Sequence, residues 1–144
     1  MVLFKKILVA IDFQSSSDRA LAAAIALAEP DAAEVILLHV WEVAMLGYSS
    51  AMYSGRDVLA PIRAEAQRAL DVRIARARLR ARNVSGMLRA GDPWQEILDA
   101  AEELHPELVV LGTHGRGLLG RALLGSVAAK TVRTAPVPVL TVRG

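Results

Sequence analysis

Short unbroken apolar runs alternate along this chain with longer segments in which apolar and charged residues mix at helical spacing. The first run, "KILVAID" from Lys6 to Asp12, is aliphatic and β-branched, as a strand buried on both faces requires. "SSSDRALAAAIALAE" follows, with Ser15 and Asp18 at capping-box spacing ahead of good helix formers. "EVILLHVW", Glu34 to Trp41, predicts a second buried strand, and "VAMLGYSSAMYSG", Val43 to Gly55, lacks any period and predicts a loop. An arginine- and alanine-rich helix comes next, with Pro61 near its first turn and its end expected near Asn83. "VSGMLRAG" is a weaker third strand. "DPWQEILDAAEEL" predicts a firm helix, since Asp92 suits the N-cap, Pro93 the first helical position and Glu96 the first turns. "ELVVLGT" predicts a fourth strand, "SVAAKTVRTA" a last helix and "VPVLTVR" a fifth strand carrying Pro138.

Strands and helices taking turns in this way imply a parallel sheet with helices on both faces. No second period, linker or low-complexity tract interrupts the pattern. The expectation is one doubly wound α/β domain over residues 1–144, built on a single five-stranded parallel sheet of the Rossmann-like kind. The order of the strands is not readable from the sequence.

Composition narrows the function classes. With 53% apolar and 22% charged residues the chain reads as globular and well packed. The longest apolar run, "ALAAAIALA" from Ala20 to Ala28, falls far short of the roughly 20 residues a spanning helix needs. Asp12 interrupts the opening "MVLFKKILVAIDF" where a secretory signal needs an apolar core. The absence of cysteine excludes disulfides and thiolate sites and fits a reducing compartment. A cytoplasmic protein with no membrane partner is expected. A net charge of +2 is too small to argue for nucleic acid. Arg73, Arg76 and Arg80 lack interleaved stacking aromatics and read as a solvated helix face.

Chemistry concentrates in one stretch. Five of the ten glycines fall between Gly112 and Gly125, directly after a strand and before a helix. In doubly wound sheets, ligands bind beyond the carboxyl ends of strands where the strand order reverses. Gly112 closes the fourth strand and Asp12 the first. If these strands are neighbours, a glycine loop faces an acidic side chain across one crevice. Glycine lets backbone approach a phosphate without a Cβ in the way, and a helix starting near Ser126 aims its N–H groups and positive dipole end there. Arg116 would add positive charge or is otherwise a solvated loop residue. The spacing is neither a Walker A loop nor a dinucleotide fingerprint.

The stretch reads Gly112-Thr-His-Gly115, nine residues, then Gly125-Ser126. It resembles the ATP-binding members of the universal stress protein family, which carry G-x-x-G, nine residues and G-[ST]. "KKILVAIDFQSSSDRAL", "VILLHV" and "APVPVLTVR" are similar to the family's opening, second strand and ending, so the resemblance covers essentially the whole chain. It implies an adenine nucleotide, ATP with AMP as the alternative, bound by a stress-response sensor or regulator. Ala10 and Asp12 would meet adenine and ribose, and Val40 would lie along the adenine. Gly112, Thr113, His114, Gly115, Arg116, Gly117, Gly125, Ser126 and Val127 would hold the phosphates. Ala10 departs from the proline of some members.

The chain's histidines show no metal-ligand spacing, so any Mg2+ or Mn2+ is expected to arrive on the nucleotide's phosphates. His39 reads as a core histidine bonded to backbone. No nucleophile–base arrangement can be placed, so a binding module with at most weak ATP hydrolysis is expected. A slow ATPase acting as a timer and a nucleotide-free dimeric scaffold are the alternatives. Pro138 cannot donate to a ladder and suits an edge strand. Family members pair through that strand, which implies a homodimer here through Val137, Val139, Leu140 and Val142.

Overall fold

In the computed structural model, which describes residues 4–29, 31–42, 59–113 and 124–144, the elements follow the order expected from the sequence. They are β1 (Lys6–Ala10), α1 (Ser15–Leu27), β2 (Glu34–Trp41), α2 (Ala60–Ala77), β3 (Asn83–Ala90), α3 (Pro93–Leu104), β4 (Leu108–Gly112), α4 (Ser126–Thr134) and β5 (Val139–Val142). The five strands form one parallel sheet in the order β3-β2-β1-β4-β5. The chain thus steps outward from β1 to β3, returns to the far side of β1 as β4, and ends at the opposite edge. The reversal of strand order lies between β1 and β4.

Two cores cover the two faces. Alternation along β1 sends Ile7, Val9 and Ile11 to one face, where they meet Ala20, Leu21 and Ala24 of α1 and Leu70 and Ile74 of α2. Leu8 turns to the other face, with Ile97, Ala100 and Ala101 of α3 and Ala128 of α4. Continuous apolar strands are what two-sided burial demands, and Ile7, Leu8 and Val9 are each fully buried.

Several local expectations change. The Ser15–Asp18 capping box does not form: Gln14 is the N-cap of α1 and makes no side-chain cap, and Asp18 turns instead toward Arg73 of α2. α2 stops at Ala77 rather than near Asn83, because the chain must turn into β3, and Arg78 Nε bonds the Val84 carbonyl at 3.1 Å across that turn. Asp92 does cap α3, accepting from the Trp94 N–H at 3.3 Å. β5 starts after Pro138, whose carbonyl still accepts the Val109 N–H.

Gly112 has a packing reason that spacing could not show. A Cβ there would collide with Ser16 Oγ and stand 2.8 Å from the Ser16 carbonyl carbon, so α1 rests directly on the bare end of β4. A methyl group at this point must push helix from sheet. Gly112→Ala should therefore destabilise the domain by about 1–3 kcal/mol in thermal unfolding, with or without ligand. An unchanged midpoint would show that α1 can move aside freely.

Candidate functional site

The β1–β4 pairing puts Asp12 and the glycine stretch at one rim. Val9 lies opposite Val110, and Ala10 opposite Leu38 of β2. Continued as far as Asp12, these registers bring it abreast of Val40 of β2 and of Thr113, at the carboxyl ends of three adjacent strands. Ala10, Val40 and Val127 all pack at the margin of the core under α3 and α4, so they share one side of the sheet. The structure brings these sequence-chosen residues together. His114, Gly115, Arg116 and Gly117 lie outside the described residues, as does the loop expected over Val43 to Gly55.

Each described group has a definite state. Thr113 is 6% exposed, its N–H donates to the Val142 carbonyl, and its carbonyl accepts the Gly125 N–H. Its hydroxyl is buried and finds no hydrogen-bond partner among the described residues, a condition that ordinarily costs about 1–3 kcal/mol. Gly125 caps α4 without a side-chain cap, and its own N–H is spent on Thr113. The Gly125 amide is therefore committed, and among the described residues the donors left at this helix start are the N–H groups of Ser126, Val127 and Ala128 with the exposed Ser126 hydroxyl. An uncapped helix N-terminus with its positive dipole end attracts an anion.

Asp12 is exposed, with its backbone N–H and one carboxylate oxygen engaged. Its Oδ1 accepts the Gln14 N–H at 2.9 Å, and its own N–H donates to Ser17 Oγ at 3.3 Å. Ser17 Oγ in turn donates to the Gln14 carbonyl at 3.0 Å. Among the described residues nothing bonds Oδ2, which leaves one carboxylate oxygen free to accept a hydroxyl. The next residue, Phe13, takes a left-handed φ of 65°, a conformation that costs an aromatic residue about 1–3 kcal/mol and needs support from its surroundings.

That support comes from residues outside the motif. His39 lies against the Phe13 ring at a centroid distance of 4.1 Å, and its Nδ1–H donates to the Ile11 carbonyl at 2.6 Å. The expected bond to backbone is thus found, but the ring is half-buried and lines the hollow beneath α2 rather than sitting in the core. Arg73, read from sequence as part of a solvated face, is instead largely covered: its guanidinium stands 4.7 Å from the Phe13 ring and pairs with Asp18 at 2.9 Å. On the other side of the site, Arg89 stands beside Val40 in the sheet, its charge engaged by Glu103 and, at 3.6 Å, by Glu96. No sequence signal marks Arg73 or Arg89, whose partners come from other elements.

A hollow of about 530 Å³ opens between Phe13, His39, Trp41 and the Pro61, Ile62, Ala66 and Ala69 side of α2. It lies beneath α2, on the sheet face opposite to Ala10, Val40 and Val127, and so is separate from the rim just described. Among the described residues no group of three or more His, Asp or Glu could hold a metal ion, and no helix is long and apolar enough to cross a membrane.

The sequence matches the universal stress protein family over residues 3–143. It is 34% identical to universal stress protein YxiE of Bacillus subtilis over 98% of this chain and all of that one. A universal stress protein of Thermus aquaticus, from the region beside a QAH/OAS sulfhydrylase, is also 34% identical over the same shares. Among solved structures, that of Methanocaldococcus jannaschii protein MJ0577 superposes with a TM-score of 0.88 at 28% identity, covering 99% of this chain and 98% of the other. A universal stress protein in complex with cAMP superposes at 0.67 with 26% identity, covering 98% of each chain.

Burial of the His39 ring holds its pKa below the ordinary 6.5; the Ile11 hydrogen bond and the Asp12 charge oppose that shift, and the Arg73 charge adds to it. The unfolded chain then binds this proton more readily than the folded one, so stability is intact above pH 6.5 and falls as the pH drops below it. In His39→Asn the side chain can still donate to Ile11 but cannot titrate. The urea midpoint of the wild type should decline relative to that variant between about pH 6.5 and 5. A difference independent of pH would contradict a lowered His39 pKa.

Proposed function

The chain belongs to the universal stress protein family, and from that premise we propose that it binds an adenine nucleotide, ATP, at the β1–β4 rim and acts as a stress-response sensor or regulator. The observation that carries this reading is the meeting of the glycine motif with Asp12 at the strand reversal. β4 ends at Gly112, with Thr113 following it beside Asp12, and the second half of the motif, Gly125 and Ser126, opens helix α4, which has no side-chain cap. The unpartnered Thr113 hydroxyl and the open N–H groups of Ser126 and Val127 are donors suited to phosphate oxygens. Val40 and Ala10 offer an apolar margin to the base, and the free oxygen of Asp12 an acceptor to the ribose hydroxyls. The relative solved with cAMP, itself an adenine nucleotide, supports the ligand class. A divalent cation, Mg2+ or Mn2+, would come bound to the phosphates.

Backbone donors hold a phosphate group in the ground state and the transition state alike, which favours affinity over turnover. The site therefore reads as a sensor rather than a catalyst. The second proposal concerns assembly. β5 is a sheet edge, and Val137 and Val139 pack toward α3 and α4 while Leu140 and Val142 pack toward α1. The carbonyls of Pro138 and Val142 point at β4, so the alternate residues Val139 and Thr141 turn their polar groups outward. Pairing that open edge with a second copy would satisfy them and cover the strand.

ATP with magnesium at 100 times its dissociation constant should stabilise the protein by about 2.7 kcal/mol and raise its melting midpoint by roughly 5–10 °C. GTP should shift it less, and Gly115→Val should abolish the ATP shift without changing the ligand-free midpoint. An equal ATP shift in that variant would contradict phosphate binding by the glycine motif. For assembly, Thr141→Pro removes an outward N–H but no bond to β4, and should give monomers in sedimentation velocity. A dimer that persists would place the interface elsewhere.

A further inference from the structure

We infer that Arg73 is a positioning residue for the nucleotide: from α2 it holds the turn after β1 in the one shape that presents Asp12 to the ribose. This rests on the nucleotide-binding reading above and adds to it a residue that lies outside the glycine motif and on the opposite face of the sheet.

The geometry is convergent. The Arg73 guanidinium reaches the β1–α1 turn at three points: the Asp18 carboxylate at 2.9 Å, the Phe13 carbonyl at 3.3 Å and the face of the Phe13 ring at 4.7 Å. A further N–H, at 3.5 Å from the Ala69 carbonyl, ties the same head back to its own helix. His39 also packs against the Phe13 ring, with centroids 4.1 Å apart, and its Nδ1–H donates to the Ile11 carbonyl. The residues before and after Asp12 are thus both gripped by side chains from β2 and α2. Asp12 itself touches neither. Its backbone N–H goes to Ser17 and one carboxylate oxygen to Gln14, so its remaining oxygen is aimed by the turn alone.

Phe13 cannot supply this order unaided, because its left-handed φ of 65° is a conformation that a bulky residue leaves when its contacts are removed. Loss of the guanidinium frees the ring face and the Phe13 carbonyl together. The turn then relaxes, and Asp12 goes with it. Arg73 and Asp18 lie 55 positions apart in the chain, and neither needs to touch the ligand.

The direct test compares ATP with 2′,3′-dideoxy-ATP by calorimetry on the full chain. Wild type should prefer ATP by about tenfold, since the dideoxy analogue leaves the Asp12 carboxylate without its hydroxyl partners. Asp12→Asn should narrow that preference to about twofold, and so should Arg73→Ala, although Arg73 touches no part of the ligand. Asp18→Asn, at an exposed helix position, loosens the same guanidinium without removing it and should narrow the preference in the same direction; it decides the matter if Arg73→Ala does not fold. A simple loss of stability would weaken both nucleotides equally and leave their ratio unchanged, and that result in both variants overturns the proposal. Wild type that binds neither nucleotide overturns the nucleotide reading itself. Wild type that prefers ATP while Asp12→Asn keeps the preference removes Asp12 from the ribose, and Arg73 with it.

Discussion

The pairing of β1 with β4 is the contact on which the rest of the molecule depends. Parallel strands cannot be joined by tight turns, so every return crosses a face of the sheet and deposits a helix there. Because β4 comes back to the far side of β1, the loops after these two strands part in opposite directions and leave a rim open between them. Asp12 and Thr113 stand on that rim because of register, and α4 starts beside it because the Gly125 N–H bonds the Thr113 carbonyl. The same pairing lets α1 settle on Gly112, with no side chain between helix and strand.

The site is assembled from opposing demands. Among the described residues the interior is satisfied almost throughout, yet at the rim a buried Thr113 hydroxyl lacks a partner there, α4 has no side-chain cap and Phe13 holds a left-handed backbone. Each is unfavourable for a domain that only needs to fold. Their gathering at one end of one strand pair is the pattern expected where a protein keeps polar groups ready for a ligand. The offsetting interactions come from the α1–α2 side, where His39 and Arg73 clamp the turn that bears Asp12. One face of the sheet thus carries the proposed contacts while the other braces the turn that bears Asp12.

Much of this was legible in the chain. Continuous apolar runs announced strands buried on both faces, and the Asp92–Pro93 pair announced α3. The glycine spacing identified the rim residues, and with them the family. What escaped is long-range. Strand order leaves no trace in local periodicity, and the Arg73–Asp18 pair joins two helices 55 positions apart. Arg73 also carries the periodicity of a solvated face, which is why it resembled its exposed neighbours. Ser15 and Asp18 had the spacing of a capping box, but tertiary pairing with Arg73 outweighed a local cap. Gly112 reads as a phosphate residue from its spacing, and its close approach to Ser16 is a separate packing constraint that spacing does not show.

The central claim is that an adenine nucleotide lies across the β1–β4 rim. Amide chemical shifts of the isotope-labelled protein, followed as ATP and magnesium are added, test it most directly. The account predicts saturable shifts at Asp12, Val40, Thr113, Ser126 and Val127, with Asp31 and Arg82 at the other end of the sheet unmoved. Shifts centred on Ile62, Ala66 and Ala69 would put the nucleotide in the hollow beneath α2 instead. No saturable shift at all would contradict the claim.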